Sequence, residues 1–236
     1  MPSINITAQK QGIVGITVNP SFDWNIDARN APAGSFASTY TFASNQQTAI
    51  FARFIPGRNT NISNCYRTFF RFDTSSVPGI VTSAQLVVYT AFNNFQPAEV
   101  IPIESFAFGF NGTSNLTNND FANINFGTNY SSQIPWSFSA GNNTFSLNTT
   151  AINDINNNQF LNLALIEYEY DYQDLPMPLN TQKVAGVTFA DNTNPVELQI
   201  TYSAPGYIND VNGVLSGSID SVEGIVNPNI GEVNGV

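Results

Sequence analysis

The chain has 236 residues, 42% hydrophobic and 13% aromatic, which is enough apolar and β-favouring material to bury a core and to exclude disorder throughout. Charged residues make up only 10%, against about 25% in ordinary soluble domains, and Asn, at about one residue in seven, takes their place with Ser and Thr. The formal charge of -10, the seven scattered Lys and Arg residues and the absence of His exclude a basic stripe for nucleic acid or anionic membranes, and exclude His-based triads and metal sites.

The single cysteine, Cys65, cannot close an intrachain disulfide and is read as a buried, inert thiol. Met1-Pro2-Ser3-Ile4-Asn5 has neither the basic nor the apolar region of an export signal, and no stretch reaches the roughly 18 apolar residues of a membrane span. The chain is therefore expected to be made in a cytoplasm and kept there until assembly. Its seven Asn-x-Ser/Thr sequons, from Asn5 to Asn148, are read as accidents of an Asn-rich composition.

In chain order, Ile13, Val14, Ile16 and Val18 predict a strand that closes at the turn signal Asn19-Pro20-Ser21. Phe22 to Gln47 reads as a loop followed by a strand through Phe36 and Tyr40. Thr48–Phe54 and Cys65–Phe72 are two more strands, and alternation in the second places Tyr66, Thr68, Phe70 and Phe72 on one face and Cys65, Arg67, Phe69 and Arg71 on the other. After the turn chemistry at 73–79, Ile80–Thr90 is a strong strand. Val100–Phe110, which contains Pro102 and Gly109, and Phe121–Phe126, which contains Asn123 and Asn125, are interrupted patterns, with Gly112 and several Asn residues between them. Trp136–Phe138 and Thr144–Leu147 are short strands. Thr149–Gln159, with Ile152 and Ile155 three apart and Asn153 and Asp154 between them, is the helix candidate, of one or two short turns; Phe160–Tyr172 is a long strand pattern, and Val184–Phe189 and Val196–Tyr202 complete the set. Many short strands with almost no helical periodicity predict an all-β, antiparallel, jelly-roll-like sandwich over residues 1–204.

The segment Phe69-Phe70-Arg71-Phe72-Asp73-Thr74-Ser75-Ser76-Val77-Pro78, continued by Ile80-Val81-Thr82-Ser83-Ala84-Gln85-Leu86-Val87-Val88-Tyr89, resembles the signature of DNRLRE-type jelly-roll modules, which are similar to carbohydrate-binding modules. The closing run Pro195-Val196-Glu197-Leu198-Gln199-Ile200-Thr201-Tyr202 looks like the last strand of that family. The resemblance spans roughly residues 49–202 and implies a fold; for activity it implies an adhesive or spacer module.

Beyond Pro205-Gly206, residues 205–236 form a tail with three copies of one pattern, each starting eleven residues after the last. They are Ile208-Asn209-Asp210-Val211-Asn212-Gly213-Val214, Ile219-Asp220-Ser221-Val222-Glu223-Gly224-Ile225 and Ile230-Gly231-Glu232-Val233-Asn234-Gly235-Val236. Ile and Val three apart share one face of a helical turn, and the Gly is expected to end that turn in the left-handed conformation. Each copy exposes too few apolar side chains to bury itself. The tail is therefore expected to dock on its own sandwich, on a symmetry mate or on another protein, through Ile208, Val211, Gly213, Val214, Ile219, Val222, Gly224, Ile225, Ile230, Val233, Gly235 and Val236. Such a tail on an Asn-rich β domain resembles those of tailed-phage virion proteins. This implies other virion proteins as partners, a homo-oligomer such as a trimer, and a place in the virion as a head decoration, a fibre, or a tail or adsorption component.

Without His, only carboxylate chemistry remains, and the expected role is binding rather than catalysis. In Glu167-Tyr168-Glu169-Tyr170-Asp171-Tyr172 strand alternation places three carboxylates on one face and three tyrosines on the other. Glu167, Glu169 and Asp171, with Asp174, are the candidate calcium ligands, and Asp171 and Glu169 are the acids a glycan-cleaving enzyme would need. Tyr168, Tyr170 and Tyr172 are the candidate glycan-stacking face, which gives the alternative reading of an adhesive module for a host surface glycan.

Overall fold

The structure, a computed structural model, describes residues 1–40, 47–90, 96–108, 112–137, 141–188 and 196–203, together with two short strands in the tail. The strands are β1 (Ser3–Thr7), β2 (Lys10–Ser21), β3 (Phe36–Tyr40), β4 (Gln47–Pro56), β5 (Asn61–Asp73), β6 (Ile80–Tyr89), β7 (Glu99–Ser105), β8 (Ile124–Asn129), β9 (Ile134–Pro135) and β10 (Asn142–Ser146). Helix α1 (Thr149–Asn158) precedes β11 (Phe160–Glu167), β12 (Thr181–Thr188) and β13 (Glu197–Ser203), and the tail holds β14 (Ser221–Val222) and β15 (Ile225–Val226).

The protein is an all-β antiparallel sandwich. Its small sheet has the order β1-β13-β6-β10, and its large sheet runs β12-β4-β5-β11-β7-β8, with β2 paired to β5 and β3, and β9 paired to β7. Strand β5 organises the large sheet. Its first half pairs with β4 (Phe51 opposite Tyr66), its second half pairs with β11 (Leu165 opposite Thr68), and β2 runs along its other edge.

The alternation read from β5 separates two cores. Phe70 and Phe72 join Leu86, Phe145, Leu163 and Leu198 between the sheets, whereas Cys65 and Phe69 lie on the opposite face with Trp24, Phe108 and Phe121. Strand β11 serves both cores, Leu161, Leu163 and Leu165 facing one and Ala164 and Ile166 the other. A strand covered on both faces carries an unbroken apolar run rather than alternating polarity. Leu163-Ala164-Leu165-Ile166, between Asn162 and Glu167, read in that way.

Two expectations are corrected here. The strand expected to stop at Asn19-Pro20-Ser21 continues to Ser21, and the register against β5 slips between Val18 and Ser21, so the proline sits at an irregularity where no ladder hydrogen bond is needed. The strand expected to run to Tyr172 stops at Glu167, for the reason that follows.

Candidate functional site

At Glu167 the chain leaves β11 and coils into a π-helical turn over Tyr168–Tyr172. The Glu167 carboxylate is the cause: it accepts backbone N–H bonds from Glu169 (3.1 Å), Tyr170 (2.7 Å) and Asp171 (3.3 Å), so the donors freed at the start of the turn are satisfied by the residue before it. Glu167 is buried, and that burial pushes its carboxyl up to about 7 even though the three N–H groups favour the ionised form.

The turn swings Asp171 inward. Its Oδ2 accepts from Arg67 Nε at 2.9 Å and its Oδ1 from Arg67 Nη2 at 2.6 Å, with both side chains 1% exposed. Arg67 also donates to the backbone carbonyls of Arg29 and Phe121, and its guanidinium lies 4.0 Å from the Phe121 ring centroid. Cys65 lies beside this pair; burial first, and then the Asp171 charge, push its thiol well up, which keeps it protonated.

The four expected calcium ligands are therefore not brought together. Glu167 caps the turn, Asp171 pairs with Arg67, Glu169 pairs with Lys183 at 3.2 Å, and Asp174 pairs with Arg29 at 3.3 Å and accepts from Asn25 Nδ2 at 2.7 Å. Among the described residues no group of three His, Cys, Asp or Glu side chains converges. The same geometry removes Asp171 as a solvent-facing catalytic acid.

The three tyrosines do not form one open stacking face either, since all pack on the second core. Tyr170 is buried in the second core, while Tyr168 and Tyr172 stack on each other, 5.6 Å between centroids and 18° between planes. Both corrections have one cause: alternation holds only while the backbone is extended, and a carboxylate capturing three amides ends the extension. A cavity of about 360 Å³ borders Tyr168, Glu99, Gln173 and the Glu169–Lys183 pair.

A second cavity, of about 320 Å³, opens where the ends of β7 and β11 meet α1. Asn148 caps the helix, its Oδ1 accepting from the Ala151 N–H at 3.1 Å, and Ala151 and Ile155 anchor it in the inter-sheet core. That rotation leaves Asp154 and Asn158, four apart on one helix face, lining the cavity. Glu104 comes from β7, Phe106 follows it, Tyr130 follows β8, and Phe160 opens β11.

The Tyr130 hydroxyl donates to Asp154 Oδ2 at 2.7 Å, and Asn125 Nδ2 donates to Glu104 Oε2 at 2.8 Å. Burial, then the Asp154 bond and charge, then the Glu104 charge, all raise the Tyr130 pKa far above that of a free phenol, so this group remains a donor at any working pH. Arg71 lies behind two of the lining residues, its guanidinium 4.2 Å from the Phe160 centroid and its Nη1 donating to Asn162 Oδ1 at 3.1 Å. No spacing in the sequence marks this site, because its residues come from separate elements.

In the tail, β14 pairs with β15, Val222 opposite Ile225 and Ser221 opposite Val226. This corrects the helical turn expected for Val222: in the second copy it is strand. A residue-Gly dipeptide between β-branched residues is hairpin chemistry, and the first and third copies carry Asn-Gly, its strongest form, at Asn212-Gly213 and Asn234-Gly235. Ile208, Val211, Gly213, Val214, Ile219, Gly224, Ile230, Val233, Gly235 and Val236 lie outside the described residues. No protein-family model matches the chain, and no curated protein matches it in sequence.

Proposed function

We propose that this chain is a structural component of a tailed-phage virion, in which the sandwich of residues 1–204 is the body and the tail of residues 205–236 attaches it to a repetitive protein partner. The observation that carries this reading is the repeat itself: Ile-x-x-Val-x-Gly-Val/Ile, three times at an eleven-residue period. Single copies are too small to shelter their apolar side chains, and several weak docking units on a periodic surface bind with avidity. The polar but sparsely charged exterior supports the same reading, since amides and hydroxyls pack against neighbouring subunits at little desolvation cost compared with ions.

The test places Asp at Val211, Val222 and Val233 together in the full chain. In particles grown from a genome carrying the variant, the protein is expected to be missing from purified virions while remaining folded in the lysate, as read by mass spectrometry and circular dichroism. Incorporation at the wild-type copy number would overturn the reading.

A further inference from the structure

We infer that the cavity between α1 and the ends of β7 and β11 binds an uncharged sugar, a site separate from the tail and from the tyrosine segment. Its volume of about 320 Å³ falls at the lower end of the range of small-ligand pockets, with room for a mono- or disaccharide.

The chemistry of the lining selects the ligand class. Glu104 and Asp154 both face Tyr130, and neither has a cationic partner; the ion pairs of the described residues belong to Arg29, Arg67 and Lys183. Each carboxylate is held by one neutral donor, Asn125 or Tyr130, through a single oxygen. Glu104 Oε1 and Asp154 Oδ1 accept no hydrogen bond from the described residues. Carboxylates oriented in this way accept hydroxyl hydrogens strongly, and the two of them outnumber the single nearby guanidinium, Arg71 behind Phe160 and Asn162, so the site disfavours anions.

Two further features belong to sugar recognition. Phe106 is 56% exposed at the cavity, an aromatic ring left in water where it can cover the C–H face of a pyranose. Asn158, on the helix face beside Asp154, has an exposed side-chain amide that pairs with none of the described residues and supplies both a donor and an acceptor. The cavity beside Tyr168 is less suited, since its Glu169 is neutralised by Lys183 and its Glu167 is consumed by backbone amides.

Saturation-transfer NMR on the full chain tests this, with D-glucose, D-galactose, D-mannose and N-acetyl-D-glucosamine as probes, D-glucuronate as the anionic control, and EDTA present or absent. At least one neutral sugar is expected to receive saturation, glucuronate none, and EDTA to change nothing. Phe106→Ala and Glu104→Gln are each expected to weaken binding about tenfold, with a wild-type amide fingerprint. The inference fails if none of the four sugars binds, if binding persists in both variants, if glucuronate binds as well as the neutral sugars, or if EDTA abolishes the signal and so assigns the carboxylates to a cation. Because Phe106 is exposed, its variant keeps the test decisive even if Glu104→Gln disturbs the fold.

Discussion

On one face of the large sheet Phe70 and Phe72 meet Leu86, Phe145 and Leu198 of another sheet; on the opposite face Cys65 and Phe69 meet Trp24, Phe108 and Phe121, none of which lies in a strand. Two sheets bring backbones already paired in ladders, so apolar side chains suffice between them. Irregular segments bring carbonyls that no ladder satisfies. Arg67 therefore sits beneath them, donating to the carbonyls of Arg29 and Phe121, and Asp171 compensates its buried charge. The Trp24 indole N–H, donating to the Asn64 carbonyl at 3.0 Å, is part of the same accounting.

The largest effects come from breaking either face. Asp171→Ala leaves Arg67 buried and unpaired and is expected to cost about 3–5 kcal/mol in urea unfolding. Phe70→Ala, which opens a cavity between the sheets, is expected to cost a similar amount, about 3–5 kcal/mol. Hydrogen exchange separates the two: Asp171→Ala is expected to raise exchange first in residues 118–126 and 168–172, and Phe70→Ala in both sheets together. Wild-type exchange at 118–126 in the Asp171 variant would show that the ion pair does not hold the covering layer.

The next effect is pH dependence. Burial raises Glu167 from 4.5 in the unfolded chain to about 7, so between those values the native state keeps a proton that the unfolded state has released. Its contribution to stability is therefore full below pH 4.5 and is lost as the pH rises through 7, a change of about 3 kcal/mol. Glu167→Gln keeps an acceptor for the turn but cannot titrate, and is expected to flatten that part of the stability profile. A slope unchanged in the variant would place the titration elsewhere.

Smaller effects sharpen the contrast between anchoring and lining residues around α1. Asn148→Ala, which removes the helix cap and a 2.7 Å bond to the Asn129 carbonyl, is expected to cost about 1 kcal/mol. Phe106→Ala, at the exposed mouth of the cavity, is expected to change stability by less than about 0.5 kcal/mol. A large loss at Phe106 would make it a packing residue rather than a binding one.

Most strands of the sandwich were legible from local pattern; the strand expected from Trp136 lies instead at Ile134–Pro135, and the one expected from Phe121 begins only at Ile124. In β5 the alternation already separates the residues of the two cores, whereas β11 was legible as a strand but its cover on both faces was not. Helix α1 was legible in place from the spacing of its isoleucines, but its ten residues exceed the one or two turns that spacing predicts. The segment after Glu167 was misread because its alternation of Glu and Tyr is real, yet one buried carboxylate capturing three amides outweighs it. In the second copy of the tail pattern, Gly224 was given to a helix end although Val222 and Ile225, on either side of Glu223-Gly224, pair as strand.

What the residues determined by themselves is the part governed by nearest neighbours and period: extended segments, their two faces, the helix and the repeat. What only the tertiary structure decided is which distant groups meet. Arg67 finds Asp171 across 104 positions of chain, and the Glu104, Tyr130 and Asp154 cluster gathers three separate elements. Such encounters are set by sheet order and by how loops close over a sheet, and no local periodicity encodes them.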